Sequence, residues 1–205
     1  MTAITWIEGG AERSAGWRPE NGATPPRDIV VIDDDIAADS ALRLARAGTG
    51  LLWRGDYHNA RQLLRALDRR LEKQASRRAS RKASRSSNTS NVSRGVEPGD
   101  LFHANRLARS QRAPVLGKIL IELEPDYAIG LRRAPDVREA CAHAYGTPAS
   151  EGPGESTLVS LSELLGVISA FEWHRTGIEV AALGERIHPA YGVFAPTRDE
   201  YIDLV

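Results

Sequence analysis

Val115-Leu-Gly-Lys-Ile-Leu-Ile-Glu-Leu-Glu-Pro-Asp-Tyr-Ala-Ile-Gly-Leu131 reads as a strand, a turn and a returning strand. Residues 115 to 123 are apolar and rich in β-branched side chains, Glu124-Pro-Asp126 supplies turn chemistry, and Tyr127, Ile129 and Leu131 alternate as one face of a second strand does. Helical patterns lie on both sides of this pair. The combination predicts an α+β fold, with amphipathic helices packed on a small, mainly antiparallel sheet.

Upstream, Pro98-Gly-Asp100 restarts order, and Asp100 is placed to cap a helix from Leu101 to Arg112 whose polar side carries Arg106, Arg109 and Gln111. Downstream, Pro135 and Asp136 open a short helix that runs to Tyr145 and stops at Gly146. Residues 147 to 156 form a Gly/Pro loop. Ser160-x-x-Glu163 is a capping box that starts a helix from Leu161 to Arg175, with Leu161, Leu164, Leu165, Ile168 and Phe171 inward and Gly177 at its end. Ile178-Glu-Val180 and Glu185-Arg-Ile187 then flank the turn Leu183-Gly184 as a compact β unit.

Toward the N-terminus, residues 1 to 27 are rich in Gly, Pro and isolated charges around Trp6 and Trp17, and read as a flexible lead-in. Ile29-Val-Val-Ile32 is a short strand, followed by Asp33-Asp34-Asp35, a solvated turn in preference to a metal site because oxygen-ligand sites space their acids to converge. Asp39 caps a helix from Ser40 to Ala47, which Gly48 ends in a left-handed turn. Leu51-Leu-Trp53 leads into Arg54-Gly-Asp56, and Asp56 caps a helix from Tyr57 to about Lys73, with Tyr57, Ala60, Leu64 and Leu67 on its apolar stripe. Arg54, Asp56, Asn59 and Arg61 have two readings: a polar constellation that touches RNA or a substrate phosphate, or a helix N-terminus closed by Asp56 with Arg54 paired locally.

The net charge is zero, but it is sorted along the chain: residues 69 to 94 hold nine Lys or Arg against the single acid Glu72. From Ala75 onward nothing can fill a core, so residues 75 to 97 read as a disordered basic insertion, with two readings: a solvated tether, or a segment whose charge attracts phosphate backbones without sequence choice. Arg77-Arg-Ala-Ser80 within it has the form that basophilic kinases accept. One cysteine, Cys141, rules out an internal disulfide framework, and no apolar run approaches the roughly 20 residues of a membrane span. The expected compartment is the cytoplasm or the nucleus. Cys141 and His143 point to different faces of one helix and the remaining histidines are scattered singly, which gives zinc chemistry no support.

The last stretch is His188-Pro-Ala-Tyr-Gly-Val-Phe-Ala-Pro-Thr-Arg-Asp-Glu-Tyr-Ile-Asp-Leu-Val205, where Thr197-x-x-Glu200 forms a further capping box and starts a helix. This segment resembles the one that precedes the first strand of the catalytic domain in class I S-adenosyl-L-methionine-dependent methyltransferases, in the branch similar to glutamine-N5 and ribosomal RNA methyltransferases ("methyltransferase small" type). The likeness extends over 51 to 64, 111 to 117 and 131 to 136, and so over much of residues 28 to 205. It implies an N-terminal recognition domain formed by 28 to 74 and 98 to 183, a connector at 184 to 205, and a catalytic domain that packs on the C-terminal end. It also implies that Phe194, Pro196, Thr197, Arg198 and Glu200 border the S-adenosyl-L-methionine pocket from the N-terminal side. The methyl acceptor implied is RNA, a protein glutamine or a small molecule; the substrate or RNA contacts are then Arg54, Asp56, Asn59 and Arg61 on their first reading, together with Arg106 and Arg109, whose other reading is a solvated helix face.

The family's cofactor loop has no counterpart here. Gly48-Thr-Gly50 follows a helical pattern and Gly152-Pro-Gly154 sits in a loop, whereas a nucleotide cofactor needs a Gly-rich turn after a strand. The 205 residues alone are therefore expected to be non-catalytic and to bind no cofactor. Two other readings stand beside this one: a non-enzymatic basic RNA-binding module that uses Arg61, Arg65, Arg106 and the basic insert, and an inactive truncated product.

Overall fold

The computed structural model describes residues 2–19, 22–86, 98–148 and 154–193. Among the described residues the fold is α+β, with five helices, a mixed six-stranded sheet and a small antiparallel hairpin. In chain order the strands are β1 (Thr2–Glu8), β2 (Ala11–Trp17), β3 (Ile29–Ile32), β4 (Gly50–Trp53), β5 (Ile119–Leu123), β6 (Thr157–Ser160), β7 (Ile178–Val180) and β8 (Glu185–Ile187). The helices are α1 (Ala38–Ala47), α2 (Tyr57–Ser86), α3 (Pro98–Leu116), α4 (Arg138–Tyr145) and α5 (Leu161–Thr176). The large sheet runs β1-β2-β6-β5-β4-β3, and β7 pairs with β8 apart from it. Antiparallel pairing joins β1 to β2, Thr2↔Trp17 to Glu8↔Ala11, and β5 to β6, Leu120↔Ser160 to Leu123↔Thr157, so the sheet is mixed and not mainly antiparallel. Parallel pairing joins β3 to β4, β4 to β5 and, over two positions, β2 to β6.

Period-two alternation sends side chains of the central strands into two cores. Leu51, Trp53, Ile119, Ile121, Leu123 and Val159 face the helices, where they meet Ala41, Leu42, Leu63, Leu67, Cys141 and Leu164. Leu52, Leu120 and Leu158 face the other way, against Ile4, Trp6, Ala15 and Trp17. The β1–β2 hairpin curls over that second face until β1 lies against β3. With both faces covered, the central strands read as continuous apolar runs and not as alternating ones.

Within the expected lead-in 1 to 27, Thr2–Glu8 and Ala11–Trp17 are thus paired strands and no loose segment. Gly9 and Gly10, at φ 60° and 82°, make the two-residue turn that matches the twist of a hairpin. Trp6 and Trp17, 4% and 6% exposed, are core residues, and the Trp17 Nε1–H donates to the Ala23 carbonyl at 3.0 Å. The apolar alternation in Thr2–Trp17 is blurred because Ile7 faces solvent and β2 is buried only from Ala15 to Trp17, which hid the strands.

The return arm 127 to 131 does not pair with β5 either. Its turn is present: Tyr127 N donates to Glu124 O and Glu124 N to Ala128 O, both at 2.8 Å. Tyr127 (φ 67°) and Arg133 (φ 56°) are left-handed, however, and that backbone cannot continue as a strand. The antiparallel partner of β5 is β6, four residues between the Gly/Pro loop and α5 to which the sequence pattern assigns no element, apart from Ser160 as a helix cap.

At the helices, agreement is closer. Ser160 Oγ accepts from Glu163 N at 3.0 Å, Gly48 is left-handed at φ 94° and Gly146 follows α4. Asp39 lies in the first turn of α1 and not at its N-cap, which is Ala37. Its carboxylate accepts from Arg70 Nε at 2.8 Å. Helix α2 continues past Lys73 to Ser86, so residues 75 to 86, expected to be unstructured, are helical. Ala, Arg, Lys and Gln are strong helix formers, and a formed helix is extended one residue at a time without a new nucleation cost. The rest of the insert, 87 to 97, lies outside the described residues, as do 194 to 205. Among the described residues, no helix is long and apolar enough to cross a membrane.

Candidate functional site

Parallel strands present their carboxyl ends together, and in open α/β sheets ligands gather there. In this chain β3 and β4 end side by side, with Arg54 N donating to Ile32 O at 2.8 Å, and the loop Arg54-Gly55-Asp56 comes next. Asp34, from the loop after β3, accepts from Asp56 N at 3.0 Å and from Asn59 Nδ2 at 3.0 Å. A Cβ on Gly55 would sit 2.5 Å from Asp34 Oδ1 and 2.8 Å from the Asp34 amide nitrogen. Only glycine lets the two loops approach this closely.

Asp56 is the hub. Its side chain is fully buried, and Oδ1 accepts from His58 N at 2.9 Å, as an N-cap should. Oδ2 accepts from Arg132 Nε at 2.9 Å and Arg133 Nε at 2.6 Å. The Asp56 carbonyl accepts from the Trp53 indole, and Tyr57 N donates to Arg132 O. The Arg133 hydrogen bond, helped by the His58 amide and Arg132 against the opposing effect of burial, holds the Asp56 carboxyl down at about 2.

Arg54 closes the other side. Its Nε and Nη2 grip both oxygens of Glu8 at 2.7 and 2.8 Å, and Nη1 reaches Glu122 Oε2 at 2.7 Å. The Arg54 hydrogen bond, and then that of the Trp6 indole, pull the Glu8 carboxyl down to about 2 despite partial burial. This fork ties the β1–β2 hairpin to β4 and β5.

Of the residues read as contacts, the structure brings Arg54, Asp56 and Asn59 into one knot, and satisfies them within it. Asp56 is a saturated acceptor and no proton acceptor near neutrality, since a base must hold its proton near the working pH. Arg61 sits one turn into α2, half-buried, while Arg106 and Arg109 are exposed on α3, a separate element. The adjacent pair Arg132-Arg133 was the part not foreseen; two arginines before Ala134-Pro135 were its only signal. Phe194, Pro196, Thr197, Arg198 and Glu200 lie outside the described residues.

Other constellations are less promising for chemistry. Cys141 is buried and its thiol is pushed up to about 11 by that burial, so it is not a nucleophile. His143, His174 and His188, far apart in sequence, converge beside a cleft of about 510 Å³, with ring centroids 4.1 Å apart for the first two and 6.0 Å for the last two. His188 Nδ1 lies 2.6 Å from His174 O, and His174 Nδ1 lies 3.2 Å from the carbonyls of His188 and Pro189, so these rings engage main chain. Among the described residues, no three His, Cys, Asp or Glu side chains are arranged to hold a metal ion. A second cleft, about 500 Å³, opens where Arg46, Gln74, Arg78 and Arg112 surround Leu71 and Val115. Comparison with protein-family models, curated proteins and solved structures finds no match for this chain.

Proposed function

We propose that these residues form the N-terminal recognition portion of an S-adenosyl-L-methionine-dependent methyltransferase and are not catalytic by themselves. The segment from His188 to Val205, with its likeness to the connector of that family, is the observation that carries this reading. Its first residues have a fixed point of departure: His188 and Pro189 meet His174 of α5, and the Tyr191 hydroxyl donates to Glu163. A connector held in this way can present a catalytic domain at a defined place beside α5.

The described residues do not fit the cofactor. Gly48 is the left-handed cap of α1, and Gly50 opens β4, where a Cβ would meet Leu120 Cδ1 at 2.8 Å. Gly48 thus ends a helix and Gly50 allows close packing, both ahead of a strand, and neither makes a phosphate cradle after one. The carboxyl ends of β3 and β4 are filled by the chain's own ion pairs. Cofactor binding then belongs to a separate domain.

Isothermal titration with S-adenosyl-L-methionine tests the assignment on two proteins: residues 1–205, and the product of the same reading frame carried past codon 205. No heat from the first and saturable binding by the second is the expected result. Saturable binding by residues 1–205 alone, or a continued frame that lacks a Gly-rich loop after a strand, sinks it.

A further inference from the structure

Helix α2 carries a row of cations at every fourth position: Arg61, Arg65, Arg69, Lys73, Arg77 and Arg81. Side chains four apart are neighbours on a helix surface, so the row is a continuous ridge that drifts about 40° around the axis per step. Arg61 is half-buried, and the other five are exposed. From Arg65 to Arg81 the ridge is about 24 Å long at 1.5 Å per residue.

None of the six forms an ion pair with a described residue, although ion pairs are common elsewhere in the chain. Helix α2 has just two acids, Asp68 and Glu72, and both turn toward Arg112 of α3, at 3.1 and 4.0 Å. Arg70, off the ridge, pairs with Asp39. Like charges four apart weaken a helix, so the fold gains nothing from the arrangement. Past Leu71 the helix has no further fully buried apolar side chain among those described. The ridge is a cationic rail with no internal counter-charge among the described residues.

We propose that this ridge is a docking surface for the phosphate backbone of a nucleic acid, along which successive cations neutralise successive phosphates. A membrane surface is disfavoured because the leucines between the cations, Leu63, Leu64, Leu67 and Leu71, are buried or half-buried against the fold, and the exposed uncharged positions are Gln62, Ser76, Ala79 and Ser80, with no aromatic or large aliphatic side chain to enter the headgroup layer. RNA and DNA share the backbone chemistry and are separated by experiment. The inference does not depend on the methyltransferase reading.

The test is fluorescence anisotropy of the full chain with labelled single-stranded RNA of roughly 20 nucleotides, an RNA duplex and a DNA duplex, at about 50 and 200 mM salt. Five neutralised phosphates on a single strand give a log–log salt slope near about −3.5, or roughly a hundredfold weakening over that interval. The triple variant Arg69→Gln, Lys73→Gln, Arg77→Gln is expected to bind more weakly and to lose about 2 from the slope, leaving roughly a sevenfold weakening. A control with the same charge change off the ridge, Arg13→Gln, Arg27→Gln, Arg43→Gln, keeps the full slope. Equal effects of the two triples, binding indifferent to salt, or preference for phosphatidylserine vesicles or poly-glutamate over every nucleic acid overturns the proposal. The relative affinities of the three probes tell RNA from DNA.

Discussion

The knot around the loop after β4 and the helix that follows this loop in the chain are both rich in arginine, and they use it in opposite ways. At Arg54-Gly55-Asp56 each charge is met: Arg54 by Glu8 and Glu122, Asp56 by Arg132 and Arg133. On the solvent side of α2, Arg65 to Arg81 along the ridge meet no acid among the described residues. Arginine in the knot supplies directional, charge-assisted hydrogen bonds that fasten a hairpin and a loop to the sheet. Arginine on the ridge supplies charge alone, available to something outside the fold. The same residue type is architecture in one place and a surface in the other, and what separates them is whether the chain brings a carboxylate to it.

That contrast can be broken by substitution, and the largest effects belong to the knot and to the hairpin it fastens. Trp6→Ala empties the core that the Arg54–Glu8 fork holds shut, and a loss of about 3–5 kcal/mol in urea unfolding is expected. A loss below about 1 kcal/mol would mean that the hairpin is an ornament. Asp56→Ala removes the cap of α2 and the anchor of Arg132 and Arg133 together, and a fall of roughly 5–10 °C in Tm is expected by calorimetry. Asp56→Asn retains the capping oxygen and should recover part of it.

Acid probes the same knot without mutation. Asp56 and Glu8 are both held at about 2, below their unfolded values, so their contribution is complete above about pH 5 and is lost as pH falls through about 4 toward 2. The urea midpoint should therefore drop between about pH 5 and 2.5, by less in a Glu8→Gln, Asp56→Asn double variant; an equal drop in both proteins would assign acid sensitivity elsewhere. Smallest of all is the ridge. Because Arg69→Gln, Lys73→Gln, Arg77→Gln relieves like-charge neighbours, stability should hold or rise by under about 1 kcal/mol. A marked loss of stability would place those side chains in the architecture after all.

How much of this was legible depends on how local the signal is. The capping box at Ser160, the glycine stops, β3, and the β7–β8 hairpin were readable because a hydroxyl three residues before a glutamate, or a glycine past a helix, works within one turn of chain. Asp56 was readable as a cap for the same reason. Its partners were not: Arg132 and Arg133 are 76 and 77 residues away. The β1–β2 hairpin was missed because its strands bury only Ile4, Trp6, Ala15 and Trp17 as apolar side chains, among exposed positions that mix Thr, Ser, Ala, Ile7 and the charges Glu12 and Arg13. The strand β6 was missed because its only large apolar side chains are Leu158 and Val159, set between a Gly/Pro loop and the capping box of α5, where β3 offers an unbroken apolar run from Ile29 to Ile32.

By itself the sequence determined the helices, most of their ends, the α+β class, and the sorting of positive charge into one segment, since each depends on chemistry within a few residues. Tertiary structure alone decided which strand lies beside which, that the hairpin ending at Trp17 closes a second core, and which arginines are consumed by carboxylates. Pairing of that kind is set by packing between positions remote in the chain, where a choice among partners of similar local propensity is made by the burial and charge compensation each one brings.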